Sequence, residues 1–157
     1  MAYESDPIAS KLGELVLSLS LHYDLDSFSD MNPAEQALAG TWELANEIYN
    51  GGFMQYFHNS SGRRAKPMVD VLRSVGARQA AEILESAIVL AGPGTPWGDE
   101  LNYLAAIKLM PPDARHQLSG LERKLYDDID NVHSLVFRYL SERDQIDAPE
   151  EFWKETK

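Results

Sequence analysis

Asn32-Pro33-Ala34-Glu35-Gln36-Ala37-Leu38-Ala39-Gly40-Thr41-Trp42-Glu43-Leu44-Ala45-Asn46-Glu47-Ile48-Tyr49-Asn50-Gly51-Gly52 is the stretch on which the fold class turns. Asn32 is a helix-capping residue type, Pro33 suits the first helical position, and Glu35 stands where the return half of a capping box is expected. Leu38, Trp42, Ala45 and Tyr49 then follow at helical spacing and share one stripe. The spacing predicts a helix that ends at Asn50-Gly51-Gly52, where two glycines release the backbone.

The same punctuation extends in both directions. Asp6-Pro7 opens a helix that keeps Ile8, Leu12, Leu15, Val16 and Leu19 on one face and ends near Leu21. The polar segment from His22 to Met31 reads as a connecting loop. Beyond the glycines, Phe53 to His58 reads as a short aromatic helix closed by Asn59-Ser60-Ser61-Gly62. Pro67 starts a helix with Met68, Val71, Leu72 and Val75 inward, and Gly76 is its expected left-handed terminus. A helix from Ala77 to Ala91 follows after a tight corner. Gly92 to Gly98 is a loop, and Asp99 caps a helix from Glu100 to Met110 that Pro111-Pro112 stops. Leu118, Leu121, Leu125 and Ile129 form a weaker helical pattern interrupted at Gly120, and Val132, Leu135, Val136, Tyr139 and Leu140 a stronger one. Alternating strand patterns, long repeats and low-complexity runs are missing. The expectation is an all-α, single-domain multi-helix bundle over residues 1–144, with residues 145–157 a loosely packed tail from which Phe152 and Trp153 can dock.

Composition bounds the function. A chain of 157 residues fits one domain, and 44% hydrophobic with 25% charged residues is a globular balance. No apolar stretch reaches the roughly 18 residues of a membrane span. The first residues lack a signal-peptide pattern, so a cytoplasmic protein is expected. With no cysteine, disulfides and thiolate chemistry are excluded. The net charge of −11 disfavours direct nucleic-acid binding, because phosphates would be repelled. That charge is uneven: −8 over residues 1–50, +1 over 51–121 and −4 over 122–157, with Lys11 the single base among the first fifty.

Candidate chemical sites are few. Asp24, Asp26, Asp30 and Glu35 fall at calcium-loop spacing, but Phe28 and Ser29 occupy positions that need an oxygen ligand and a glycine. His22, His58, His116 and His133 include no pair four residues apart, as a helical zinc site would use. Ser60 and Ser61 lack a nucleophile elbow, and Gly92-Pro93-Gly94 lacks the lysine of a phosphate loop. Tyr126-Asp127-Asp128-Ile129-Asp130 gathers carboxylates that read as a solvated helix end. No catalytic residue, metal ligand or cofactor is assigned. The most distinctive segment is Asn50, Gly51, Gly52, Phe53, Met54, Gln55, Tyr56, Phe57, His58 and Asn59. It reads as a helix-turn-helix junction in which Asn50 and Asn59 bond loop backbone and Phe53, Tyr56 and Phe57 wedge into the core.

Asn50-Gly51-Gly52-Phe53-x-Gln55-Tyr56-Phe57-x-Asn59-Ser60, with Val75-Gly76-Ala77 and then Ala80, Ile83, Leu84 and Ala87, resembles a family of small acidic bacterial proteins. Their shared domain is of unassigned function, and one member is a DNA mimic. The resemblance extends over about residues 32–140. It implies an all-helical domain, with a homodimer among its arrangements, whose surface carboxylates imitate phosphates on the DNA-binding face of a transcription factor. Asp24, Asp26, Asp30, Glu35, Glu43 and Glu47 are the candidate partner-binding acids. The expected function is a non-enzymatic interaction module for a basic protein such as a DNA-binding regulator. The alternatives are an enzyme or small-molecule binder using Gln55, Tyr56 and His58 beside residues 50–59, and a structural subunit.

Overall fold

The computed structural model describes residues 6–23, 25–92 and 110–154 and, within them, the side chains of all but residues 25, 26, 60 and 61. Five α-helices are present among the described residues: α1 (Pro7–Ser20), α2 (Pro33–His58), α3 (Ala65–Ser74), α4 (Arg78–Ala91) and α5 (Pro112–Ser141). Short 3-10 segments at Leu25–Asp30, Ser60–Arg64 and Glu150–Trp153 complete the chain. The protein is all-helical, as the periodicity predicts. None of the described helices is long and apolar enough to cross a membrane.

The predicted caps at Asp6, Asn32 and Gly76 have their bonds, and Asp99 lies outside the described residues. Asp6 Oδ1 accepts the Ile8 N–H at 2.9 Å, which starts α1. Asn32 Oδ1 accepts the Glu35 N–H at 2.8 Å while Glu35 Oε1 accepts the Asn32 N–H at 2.9 Å, so the capping box is reciprocal. At the end of α3, Ala77 N–H reaches Leu72 O and Gly76 N–H reaches Arg73 O. Gly76 takes φ +85 there, and this Schellman motif turns the chain directly into α4.

Four local expectations change. The His22 to Met31 connection holds a 3-10 turn that buries Phe28 and Met31, because the Gln36 side chain ties down the Phe28 carbonyl at 2.9 Å. α2 does not stop at the glycines but bends at Gly52 and continues to His58. α3 begins at Ala65, two residues before Pro67, which a proline tolerates in a first turn. Gly120 does not interrupt α5, which runs unbroken for 30 residues, since Leu118 and Leu125 on either side are anchored in the core. The predicted Gly92 to Gly98 loop (beyond Gly92) and the helix from Glu100 (short of Met110) fall outside the described residues.

α2 and α5 form the central pair. α4 packs on α5, α3 bridges α4 and α2, and α1 lies against both α2 and α5. Leu38, Phe53, Phe57, Met68, Leu72, Leu84, Leu125, Val136 and Leu140 fill the space between them. Each such side chain contributes about 1.5–3 kcal/mol by leaving water. At the C-terminal end, Phe152 and Trp153 meet edge to face and both lie against Phe137 at tilted angles.

Candidate interaction surface

The glycine and aromatic motif is a bend in α2 held from α5. Gly52 adopts φ +75 and ψ −165, outside the helical region. The bend frees the Phe53 N–H, which donates to Glu122 Oε1 of α5 at 2.9 Å. An added Cβ at Gly52 would lie 2.4 Å from that same oxygen, so the backbone angle requires glycine and a Cβ would push the Glu122 carboxylate away. Glu122 thereby places a carboxylate at the start of the second helical piece, where the backbone dipole favours negative charge. Beyond the bend, Phe53, Tyr56 and Phe57 are all buried. The predicted turn between two helices is thus a kink within one helix, because α5 supplies the missing hydrogen-bond partner.

Carboxylates line the adjacent face of α2, and they are committed internally. Glu47 Oε2 accepts from Gln55 Nε2 and from Asn59 Nδ2, each at 2.8 Å, so the Asn59 side chain clasps α2 rather than the loop backbone. One turn earlier, Glu43 forms a two-bond ion pair with Arg64, through Nε at 3.0 Å and through Nη2. The side chains are 18% and 9% exposed, respectively. Arg64 also lies over the Phe28 ring, 5.7 Å from its centroid. Burial pushes the Glu43 carboxyl above its ordinary range, Arg64 pulls it back, and Glu47 adds to the rise. Burial and the neighbouring Glu43 and Glu47 charges likewise raise the Tyr56 phenol.

These contacts sort the six candidate partner-binding acids. Glu35, Glu43 and Glu47 are half-buried and bonded within the fold, Glu35 as part of the capping box and also at 3.4 Å from the Tyr23 hydroxyl. Asp30 is exposed. Asp24 lies outside the described residues, as does the side chain of Asp26. Sequence reasoning passed over a second set of exposed acids, Glu142, Asp144, Asp147, Glu150 and Glu151, between the end of α5 and the final 3-10 turn, of which Glu142 pairs with Arg138 and Glu151 with Lys154. The charge count of residues 122–157 was the available signal, but the location of the group was not.

Two tethers set that location. Asn32 Nδ2 donates to the Gln145 carbonyl at 3.2 Å, joining the start of α2 to the segment that carries Asp144 and Asp147. Lys11 Nζ donates to the carbonyls of Phe152 and Lys154, both at 2.7 Å, joining α1 to the same segment. The lysine also faces the Phe137 and Phe152 rings at 5.4 and 5.5 Å. The two acid-rich ends of the chain are therefore held together, and the single base of the first fifty residues is engaged in holding them.

Open space lies elsewhere. A cleft of about 440 Å³ between α1 and α2 is lined by Val16, Leu19, Tyr23, Met31 and Trp42, with Glu43 and Glu47 at one side. Gln55, Tyr56 and His58 are not part of its wall.

No curated protein and no solved structure matches the chain. A family model described as DMP19-like protein matches residues 29–143, from the turn before α2 to just past α5. That span includes the glycine bend, its Glu122 partner and the α3–α4 corner, and the chain belongs to the DMP19-like protein family.

Proposed function

We propose that this protein is an interaction module whose joined acidic ends engage a basic surface of another protein, in the manner of a DNA mimic occupying the DNA-binding face of a regulator. The observation that carries the reading is that Asn32 and Lys11 tie the segment bearing the exposed Asp144, Asp147 and Glu150 to the start of α2, two residues from Asp30, and to α1. Like charges gathered on a rigid helical body create a field that steers a basic partner and suppresses acidic ones. The resemblance to a family with a DNA-mimic member supports the same reading. Glu43 and Glu47 serve the framework in this reading, since their oxygens already accept internal bonds.

An enzymatic or small-molecule role at residues 50–59 has less support. Tyr56 is buried and the Gln55 amide is held by Glu47, so neither presents a free group to a ligand pocket.

The test is a native pull-down at low salt with the wild-type protein and with a D144N/D147N/E150Q/E151Q variant. The expected partner is basic, is released as salt rises, and loses bound DNA when the wild-type protein is added. The variant is expected to associate slower by on the order of tenfold. Recovery of no basic partner, or equal capture by the neutralised variant, overturns the reading.

A further inference from the structure

A cluster not among the acids invoked above brings metal-ligating side chains together from distant parts of the chain. Asp6 stands at the N-terminal cap of α1, and Asp130 and His133 stand in the middle of α5. One ligand atom from each lies within 4.8 Å of the other two. Asp130 and His133 are three residues apart, which puts both on the same helix face. Asp6 approaches that face because α1 packs against α5.

The three residues differ in burial in a way that suits a bound cation. His133 is only 1% exposed, Asp6 is half-buried and Asp130 is exposed, so the cluster has a buried floor and an open side. Burial lowers the His133 pKa against the opposing pull of Asp6 and Asp130. The Trp42 ring lies 5.9 Å from the His133 ring and tilted by 31°, which restricts imidazole rotation. Asp6 caps Ile8 through Oδ1, and a carboxylate keeps a second oxygen for another partner.

We propose that Asp6, Asp130 and His133 form a binding site for a divalent transition-metal ion, with zinc as the ion their chemistry fits. One imidazole and two carboxylates are a borderline donor set, and the two carboxylate charges neutralise a dication. Donors around a tetrahedral ion stand roughly 3.3–3.6 Å apart, given bond lengths of about 2.0–2.2 Å. The exposed Asp130 side chain closes the remaining gap by rotation. Three protein ligands leave the fourth position to water on the open side. The ion would fasten the start of α1 to α5, so its binding adds to stability. This site uses none of the acids invoked above, and neither reading depends on the other.

The test uses the full chain, stripped by a chelator and titrated with zinc by calorimetry, and with cobalt(II) followed by visible absorption. The expected result is one equivalent of zinc bound, a thermal midpoint that rises with zinc and returns with chelator, and the intense cobalt bands of a low-coordinate site. D130N alters an exposed side chain and is expected to fold as the wild type does by circular dichroism, yet to weaken binding by about tenfold or more. H133Q is expected to abolish the cobalt bands, and D127N, on a neighbouring exposed carboxylate, to leave binding unchanged. Absence of saturable binding at millimolar zinc overturns the proposal. So does zinc affinity that D130N leaves intact, because the ion then binds elsewhere on the acidic surface.

Discussion

Gly52 is the residue at which local conformation, packing and electrostatics meet. Its φ of +75 with ψ of −165 lies in a region nearly closed to residues with a Cβ, and the Glu122 carboxylate fills the space that a Cβ would need. G52A is expected to destabilise the protein by about 2–4 kcal/mol, combining backbone strain with displacement of Glu122. Urea unfolding measures it. E122A alone is expected to cost about 1–2 kcal/mol by leaving the Phe53 N–H without its acceptor. In the double variant the two losses should add to less than their sum, since both act on one contact. Full additivity would show that the bend does not depend on α5. Glu43 supplies a second test at this scale. Its folded pKa is raised above 4.5, so the folded state holds this proton more tightly than the unfolded state. Its contribution to stability therefore improves as pH falls through the folded value toward 4.5, and worsens in the opposite direction. The wild-type minus E43Q difference in stability is expected to show that slope in this window and to level off on either side.

Helices here hold by partners supplied from other elements as much as by their own periodicity. The capping box of α2 and the Schellman corner after α3 are local, and each is complete within six residues of sequence. The clasp between α1 and the final 3-10 turn is different, because Lys11 reaches carbonyls more than 140 positions away. K11M keeps much of the aliphatic stem but removes the ammonium from two carbonyls and two aromatic faces. It is expected to cost about 1–3 kcal/mol. Hydrogen exchange at residues 150–154 should accelerate more than exchange in α5. Uniform acceleration throughout the chain would show that the lysine supports the global fold and not this clasp.

On the scale of the whole molecule, the charge segments of the sequence acquire a geometry. Residues 51–121, with a net charge of +1, include the bend, the α3–α4 corner and Arg64, which neutralises Glu43 inside the framework. The acidic ends are joined through Asn32 and Lys11, so acids far apart in sequence are carried on tethered segments. The salt sensitivity and charge-variant behaviour expected of a partner complex follow from that joining, not from the total of −11.

The sequence by itself determined the helical class and most helix starts. Asp6-Pro7, Asn32-Pro33-Ala34-Glu35 and Gly76 act through bonds to residues only a few positions away, so their meaning is carried locally. Only the tertiary structure decided what the carboxylates do. Glu35, Glu43 and Glu47 look like surface acids in the sequence and are bonded within the fold, and Glu122 attracted no attention until α5 brought it to Gly52. Asp130 and His133 stand three residues apart on one helix, a pairing the sequence reading did not draw, and Asp6 joins them only because α1 packs on α5. The physical reason is the same in each case: a cap is a short-range bond, whereas the state of a charge depends on every group within a few ångströms, wherever those groups lie along the chain.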